Sequence, residues 1–373
     1  MNSAPGHNSD AVRHLYVHFP FCARLCPYCA FYKARGNSAD FAAFCDALVI
    51  EAKGAATKIP LRLETIFWGG GTPTALSTDQ LTRMLHFFAE TFDLHRLQEW
   101  TIEANPGSVS EKKAAVLRHG GITRISLGVQ SWEDDLLYLL GREHNAEQAE
   151  VSFRILREAG FANISIDLMF ALPGQTESQW RASLARTIAL EPEHISTYCL
   201  TYEEDTEFLA RFERGEFHAH DETEARFFEI AMTMLETAGY QHYEISNYAR
   251  AGFRSRHNEA YWRGADYIGL GPSAFSTRKN KRWQNITDHR EYARRVSAGQ
   301  SPIASTETLT TAMKRAEQIA LGLRSRDGIA ADLVPVSNAN DLIEAGLVER
   351  RNGRVVLTHA GKLLADSVAE ELL

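Results

Sequence analysis

Three cysteines, Cys22, Cys26 and Cys29, lie within one eight-residue stretch directly after an apolar run. The whole chain has only five cysteines, so this cluster is the most distinctive chemical feature of the sequence. A thiolate is a soft ligand, and three of them at this spacing can converge on iron or zinc. Pro27 lacks a backbone N–H and disfavours helix at Cys26, which predicts a wrapped loop at this position.

Two other uses of these cysteines are open from the residues alone. A zinc site needs a fourth ligand, and the nearest candidate is His18, although its position in a predicted strand is unfavourable for that role. The Cys26–Cys29 segment, Cys-Pro-Tyr-Cys, also has the form of a glutaredoxin-type dithiol, in which a helix N-terminus acidifies the first thiol. That use leaves Cys22 without a function.

Iron–sulfur chemistry accounts for all three cysteines, because a [4Fe–4S] cubane held by three thiolates leaves one iron open to a ligand. The segment resembles the CxxxCxxC loop of the radical S-adenosylmethionine (SAM) superfamily, in which an aromatic residue, here Tyr28, precedes the last cysteine. The resemblance implies that Cys22, Cys26 and Cys29 hold a [4Fe–4S] cluster and that SAM binds its open iron. In that superfamily an electron from the cluster cleaves SAM to a 5′-deoxyadenosyl radical.

A repeated pattern of a short apolar run, a Gly- or Pro-marked turn and a longer helical segment surrounds this loop. Six apolar runs are predicted to be strands: 15–19, 65–68, 99–104, 125–129, 164–170 and 194–200. Strands that alternate with helices are typical of parallel βα units. In a parallel βα barrel the functional residues follow the carboxyl ends of the strands, and the motifs described next lie at such ends.

The second predicted strand ends in three glycines, Gly69, Gly70 and Gly71, followed by Thr72. Glycine has no Cβ, so its backbone can approach a ligand closely, although an isolated glycine run also fits a simple tight turn. No Gly-Lys-Ser/Thr ends the run, so it is not a Walker phosphate loop. One βα unit after the cysteines, the run resembles the SAM-binding glycine motif of the coproporphyrinogen oxidase-like branch.

Residues after the other predicted strands resemble the same branch in their order along the chain. Taken singly they fit structural roles, as helix caps, turn residues, buried acids or surface ion-pair partners. The resemblance implies that SAM is contacted by Tyr16, Tyr28, Gly70, Gly71, Thr72, Glu103, Gln130, Arg142 and Asp167. SAM offers an ammonium for an acid, a carboxylate for a guanidinium, and ribose and adenine groups for an amide.

The segment His257–Trp262, with the sequence His-Asn-Glu-Ala-Tyr-Trp, is a second candidate site. An isolated histidine is more often a hydrogen-bonded structural residue than a ligand. In this segment an imidazole that can bind iron lies beside two aromatic side chains that suit a flat macrocycle. The segment resembles the HNxxYW motif of the HemW haem chaperones, which are similar to coproporphyrinogen oxidases but transfer haem. The resemblance implies that His257 takes part in haem binding.

The fold class predicted from these patterns is α/β. We expect four segments along the chain: a disordered tail at 1–13, a partial (β/α)6 radical SAM barrel at 14–240, an aromatic- and histidine-rich extension at 241–301, and a winged-helix-like α+β domain at 302–373. The last segment contains two helices, a hairpin turned at Asn352-Gly353 and a final helix. DNA binding is not favoured, because acidic residues of this segment offset its arginines.

Composition limits the classes of function. The chain has 373 residues, of which 44% are hydrophobic and 24% charged, as in soluble globular proteins. A formal net charge of −8 gives no electrostatic case for nucleic-acid binding. No run reaches the length needed to span a bilayer, which leaves only peripheral membrane contact open. An odd number of cysteines with a clustered trio indicates a reducing, cytoplasmic location.

Two departures from the oxidases favour the chaperone branch. Coproporphyrinogen oxidases carry a further cysteine two residues after the trio, where this chain has Phe31, and they have a longer extension than the 21 residues before Cys22. We therefore expect a haem chaperone that binds haem, a [4Fe–4S] cluster and SAM, and delivers haem to respiratory haemoproteins. The alternatives are a radical SAM enzyme, such as an oxygen-independent coproporphyrinogen III oxidase or a HemN-like methyltransferase, and a thiol–disulfide oxidoreductase.

Overall fold

The computed structural model describes residues 10–373, so residues 1–9 of the expected disordered tail lie outside the described residues. The first strand begins at Val12, two residues before the expected start of the barrel. The strands of the described part are β1 (Val12–Phe19), β2 (Leu61–Gly70), β3 (Glu99–Ala104), β4 (Arg124–Gln130), β5 (Ile164–Phe170), β6 (His194–Cys199), β7 (Gln241–Glu244), β8 (Asn247–Ala249), β9 (Tyr267–Leu270), β10 (Phe275–Arg278), β11 (Lys281–Asn285), β12 (Ile303–Thr308), β13 (Ile329–Ala330), β14 (Val348–Arg351) and β15 (Arg354–Leu357).

Helices separate most of these strands. They are α1 (Ser38–Lys58), α2 (Thr78–Thr91), α3 (Glu111–His119), α4 (Asp134–Leu139), α5 (Ala146–Glu158), α6 (Glu177–Ala189), α7 (Glu207–Glu213), α8 (Asp221–Thr237), α9 (Arg256–Trp262), α10 (His289–Ser297), α11 (Thr311–Leu323), α12 (Val336–Glu344), α13 (His359–Leu363) and α14 (Ala365–Leu372). Capping boxes begin α1, α2, α5 and α6, and each satisfies two backbone N–H groups that a helix start leaves unpaired. These caps fix where the chain turns from strand to helix.

Twelve strands form one sheet, in the order β12-β11-β10-β9-β1-β2-β3-β4-β5-β6-β8-β7. Strands β1 to β6 pair in parallel and in sequence order, which confirms the predicted partial (β/α)6 architecture. The antiparallel extension lies at both edges, with β8 on β6 and with β10, β11 and β12 beyond β9. A parallel pairing of β9 with β1 was not predicted, because β9 is only four residues long.

The two faces of the parallel strands have different chemistry. Residues such as Leu15, Val17 and Phe19 face the helices, and the Phe19 and Phe44 ring centroids are 5.5 Å apart in this core. The alternate residues face the barrel interior, because side chains of a strand point to opposite faces with a period of two. Most of these interior residues are polar: His14, Tyr16, His18, Thr65, Glu99, Thr101, Glu103, Arg124, Ser126, Ser165, Asp167, His194 and Ser196.

The C-terminal unit has its own hydrophobic core and a three-stranded sheet of order β13-β15-β14. The hairpin between β14 and β15 turns at Asn352-Gly353, where both residues have positive φ. Strand β12, which falls within the segment expected at 302–373, pairs with β11 in the large sheet. The six residues of β12 are all exposed, so they carry no alternating apolar pattern by which the strand could have been recognised.

Within the part of the chain that the structure describes, no helix is at once long and apolar enough to cross a bilayer.

Candidate functional site

The three clustered cysteines lie on a loop that leaves the carboxyl end of β1, as predicted. Its two ends are joined, because Cys22 N donates to Ala34 O at 3.0 Å and Ala34 N donates to Pro20 O at 2.7 Å. A turn brings Cys29 N to 3.3 Å from Cys26 O. All three thiols are unpaired and half-buried. The loop therefore presents three unpaired thiols from one closed stretch of chain.

Polar groups surround the thiols. The hydroxyl of Thr72 donates to Cys22 Sγ at 3.5 Å, and Arg142 Nη1 lies 3.6 Å from Cys26 Sγ. Burial raises the pKa of the Cys22 and Cys29 thiols, and the neighbouring thiols raise both pKa values further. A metal needs the thiolate form, which the guanidinium of Arg142 favours electrostatically.

The zinc and dithiol interpretations lack the groups that they need. His18 cannot serve as a fourth ligand without breaking existing contacts, because its Nδ1 lies 3.1 Å from Tyr16 Oη and its Nε2 lies 2.9 Å from Tyr32 O. In residues 10–373 no three His, Cys, Asp or Glu side chains surround a single metal position. A [4Fe–4S] cubane does not need three ligands around one metal position, since each thiolate binds its own iron.

No helix begins at Cys26, so a dithiol formed by Cys26 and Cys29 would have no helix N-terminus to acidify its first thiol.

The glycine run at the end of β2 is tied to the base of the cysteine loop. Gly71 N donates to Phe19 O at 2.6 Å, and Thr72 N donates to Phe21 O at 2.8 Å. A Cβ on Gly71 would lie 2.7 Å from Phe19 O, so a larger residue would push the two segments apart. Gly70 has φ +100°, and a Cβ there would lie 2.5 Å from the His18 ring. Both glycines are therefore required by close packing beside the cysteines.

Two carboxylates lie on the interior face below this run. Glu103 accepts a hydrogen bond of 3.0 Å from Gly70 N, while Asp167 accepts bonds of 2.7 Å from both Ser126 and Ser165. Desolvation, together with the charge of Asp167, raises the pKa of Glu103 to about 7. A cation placed here would stabilise the charged form of Glu103 and so offset both the desolvation and the repulsion from Asp167. This region of the interior therefore suits an ammonium group.

Arg142 is held at the same edge by polar contacts from two strands. Its Nη2 donates to Asn105 Oδ1 at 2.6 Å and to Gly128 O at 2.9 Å, while its Nε is buried without a partner among the described residues. Asn105 Nδ2 in turn donates to Thr72 Oγ1 at 2.9 Å. Asn105 thus connects Arg142 to the glycine run. It was missed from the sequence, although it directly follows the end of β3.

Two further residues of the predicted SAM site lie close by. Gln130 has a positive φ of 69°. Its side chain folds back over Gly128, because a Cβ built on Gly128 would lie only 2.9 Å from Gln130 Nε2. Tyr28 packs in a small apolar cluster, with its ring centroid 6.1 Å from that of Phe208. Phe208 N also donates to Pro27 O at 3.1 Å, which fixes the cysteine loop onto this cluster.

The structure thus brings together, around one edge of the barrel, the three cysteines and the residues predicted to contact SAM. Tyr16 faces the interior from β1, and burial together with Glu103 raises its pKa well above the ordinary value. The donor set is chemically suited to the expected groups. Three thiols can hold iron, a guanidinium can bind a carboxylate, and Glu103 can bind an ammonium.

His257 lies elsewhere. Its Nδ1 is 2.7 Å from Thr65 Oγ1, and its backbone N donates to Glu99 Oε1 at 3.1 Å. Thr65 precedes Gly70 by five residues along β2. His257, which contacts Thr65, is therefore roughly 16 Å from the glycine run, toward the amino ends of the strands. The ring is 1% exposed, and burial lowers its pKa to about 3. The ring of His257 is therefore not open to a flat macrocycle in this structure, whereas Tyr261 and Trp262 are half-buried.

Comparisons with known proteins agree with this geometry. The chain matches the radical SAM superfamily over residues 16–186. It is 37% identical to "Heme chaperone HemW" of Bacillus subtilis (strain 168) over 367 residues, which are 95% of this chain and 97% of that protein. It is 34% identical to "Heme chaperone HemW" of Lactococcus lactis over 370 residues, 96% of each chain.

Among solved structures, coproporphyrinogen III oxidase (HemN) from Escherichia coli superimposes with a TM-score of 0.82 over 97% of this chain and 90% of that one. The sequence identity of that pair is 24%, so the likeness shows a shared fold and carries no statement about activity. Identity to the two bacterial relatives, in contrast, is high and extends over nearly the full length of both chains. The chain belongs to the HemW family of the radical SAM superfamily.

Proposed function

We propose that this protein is a haem chaperone, which binds a [4Fe–4S] cluster and SAM at the carboxyl edge of its barrel and delivers bound haem to respiratory haemoproteins. The observation that carries the proposal is the closed loop of three unpaired cysteines with Arg142 3.6 Å from Cys26 and Glu103 on the adjoining interior face. Membership of the HemW family supports the haem part. Three reduced thiols also suit the cytoplasm as the working compartment.

Cys22, Cys26 and Cys29 are the proposed cluster ligands. The hydrogen bonds that close the loop hold the three sulfurs in one region before metal arrives, which reduces the entropy lost on binding. Arg142 and Thr72 stabilise the thiolates from two sides. When bound, the cluster supplies one-electron chemistry to SAM.

SAM is proposed to lie against the edge formed by the ends of β2 to β5. Glu103 would receive its ammonium and Arg142 its carboxylate, with Asn105 holding the guanidinium in place. The backbone at Gly70, Gly71 and Thr72 would border the same group, because the glycines leave room for close approach. The remaining polar and aromatic positions would contact the rest of the nucleoside: Tyr16, Tyr28, Gln130 and Asp167.

Haem ligation by His257 stays a prediction, and the structure adds a condition to it. Nε2 is buried without a partner among the described residues, so a ligating nitrogen is present but closed off. Haem can reach it only if α9 moves away from Thr65 and Glu99. Binding through His257 should therefore be slow, with a rate that stops rising at high haem concentration because opening of α9 becomes limiting.

The test is a haem titration followed at the Soret band, with wild-type protein and with His257→Ala and His257→Gln, each with and without reconstituted cluster. The two variants remove the iron ligand, and Gln keeps a hydrogen-bonding side chain against Thr65. Transfer is then measured by adding an apo-haemoprotein acceptor and following its absorbance. A wild-type protein that neither binds haem nor supplies it to the acceptor would refute the chaperone proposal.

A radical SAM enzyme is the second candidate, favoured by one observation. The barrel interior contains Arg124, which is 2% exposed and has an Nε without a partner among the described residues, as a site for an anionic substrate would. Anaerobic incubation of the reconstituted protein with SAM, dithionite and coproporphyrinogen III decides between the two. Rapid conversion to protoporphyrinogen would replace the chaperone proposal by an oxidase.

A further inference from the structure

A cleft of about 680 Å³ lies between α9 and the C-terminal unit. Trp262 and Arg263 line it from the end of α9, Arg326 lines it from the segment after α11, and Arg351 and Arg354 line it from the β14–β15 hairpin. The volume falls within the range of small-molecule sites. It is separate from the cysteine loop, whose residues do not line it.

The cleft is basic in a chain with a net charge of −8. Four arginines line it, whereas Asp327 is the one carboxylate among its lining residues. Arg263 lies 3.5 Å from Glu259 and 3.7 Å from Asp327 and is 62% exposed, and ion pairs this exposed contribute little to stability. Arg326 is exposed, and among the described residues only its backbone N–H is engaged, with Tyr243 O at 2.8 Å. These two guanidinium groups are available to an incoming anion.

A simpler explanation for these arginines is a structural role, in which they hold the walls of the cleft together. This explanation accounts for Arg354. Arg354 donates to the backbone oxygens of Asp327 and Gly328 at 2.6 and 2.7 Å, which builds the wall of the cleft. Arg326 takes no part in that role, and Arg263 contributes to it only through its exposed 3.7 Å contact with Asp327. Nor does it explain Trp262, whose Nε1 is buried without a partner among the described residues. An indole N–H can only donate, so this buried group beside the cleft lacks an acceptor among the described residues.

We propose that this cleft binds the two carboxylates at one edge of haem. The inference rests on the proposed haem-binding function and adds to it a recognition site that does not involve the iron. Guanidinium groups suit carboxylates because their planar fork can donate two parallel hydrogen bonds. The same helix, α9, carries His257 and borders the cleft with Trp262, so a macrocycle anchored here would lie against the segment predicted to bind it.

The experiment uses iron-free protoporphyrin IX and its dimethyl ester, titrated into full-length protein and followed by porphyrin fluorescence. The first probe has both carboxylates and no iron, and the second has neither. We expect the diacid to bind about tenfold or more tightly than the ester. Arg263→Gln/Arg326→Gln should weaken the diacid by about the same factor and leave the ester unchanged. The matched control Arg154→Gln, an exposed arginine of α5, should change neither.

His257→Gln separates the two proposals, because it removes the iron ligand and leaves the cleft intact. This variant should bind iron-free protoporphyrin IX with the wild-type affinity even if its affinity for haem is lost. Equal affinity for diacid and ester, or a double variant that binds the diacid like wild type, would overturn the cleft proposal while haem binding could still stand. Tight binding of the diacid by a protein that never transfers haem would support the cleft and refute the chaperone function.

Discussion

Thr65 Oγ1 lies 2.7 Å from Nδ1 of His257, and the same oxygen lies 2.9 Å from Nδ1 of His14. A hydroxyl can donate one hydrogen bond and accept another, so Thr65 can satisfy both rings if one histidine donates to it. Burial lowers the pKa of both histidines, to about 4 for His14 and about 3 for His257, which keeps both rings neutral. His257 is therefore part of a closed polar contact at the amino end of the barrel in this state.

Thr65→Val should destabilise the protein by about 1–3 kcal/mol, because the ring nitrogens of buried His257 and half-buried His14 lose their shared partner while the side-chain volume hardly changes. The measurement is urea unfolding followed by circular dichroism. The exposed Thr57 of α1, changed to Val in the same way, should shift the free energy of unfolding by less than about 0.5 kcal/mol. A Thr65→Val protein as stable as wild type would show that this contact is dispensable.

Glu103→Gln should weaken SAM binding to the reconstituted protein by about tenfold or more at pH 8, because it removes the charge proposed to receive the ammonium. The pKa of Glu103 is about 7, so the wild-type affinity should fall as the pH drops below 7, whereas that of the variant should not. Anaerobic isothermal titration calorimetry measures both. The matched control is Glu51→Gln, which replaces a half-buried acid of α1 beside β9 and α10, and it should bind SAM like wild type.

Asn105→Ala should lower SAM affinity by about tenfold and leave the iron content unchanged. The reason is that Arg142 loses its 2.6 Å acceptor and keeps only Gly128 O at 2.9 Å, so its guanidinium is less firmly oriented, while the thiols stay in place. Asn105→Asp keeps that acceptor and should keep most of the affinity. If both variants lose SAM binding equally, Asn105 does not act by positioning Arg142.

Glu51 should make the free energy of unfolding depend on pH. It accepts hydrogen bonds from Gly271 N, Asn285 Nδ2 and Tyr292 Oη, yet desolvation raises its pKa from 4.5 to about 7. Between these values the folded state binds a proton that the unfolded state has lost, so stability falls as the pH rises from about 4.5 to about 7.

Relative to Glu51→Gln, wild-type protein should therefore lose about 2 kcal/mol between pH 5 and pH 8. Urea unfolding at several pH values measures the difference. The exposed Glu158→Gln provides the control and should follow wild type at every pH. A constant difference between wild type and Glu51→Gln would show that this carboxyl has an ordinary pKa.

The fold was largely predictable because its signals are local. Each of β1 to β6 is followed by a helix, and a side-chain cap begins the first α-helix after every one of them except β4. The cysteine loop is indicated by the spacing of Cys22, Cys26 and Cys29 together with Pro27. Strands β9 and β12 were missed, since one is only four residues long and the other has no buried residue. Their positions depend on pairing with distant strands, which no local pattern encodes.

The site was only partly predictable, because some of its contacts join residues that are far apart in the sequence. Glu103, Arg142 and the glycines follow strand ends, where a parallel barrel gathers its functional groups. The burial of His257 could not be read from its segment, because its partner Thr65 is 192 residues away in the sequence. The contribution of Asn105 likewise depends on Thr72 and Arg142, which meet it only in the folded chain.

The most direct test of the central claim is the iron content of anaerobically reconstituted protein, combined with electron paramagnetic resonance of the reduced sample before and after SAM is added. Cys199 lies at the end of β6, outside the cysteine loop, so Cys199→Ser is the control. Wild type and this variant should each hold about four iron atoms per chain and show a signal that SAM alters. Serine at Cys22, Cys26 or Cys29 should abolish the signal. A wild-type protein without iron, or one whose reduced signal ignores SAM, would contradict the account.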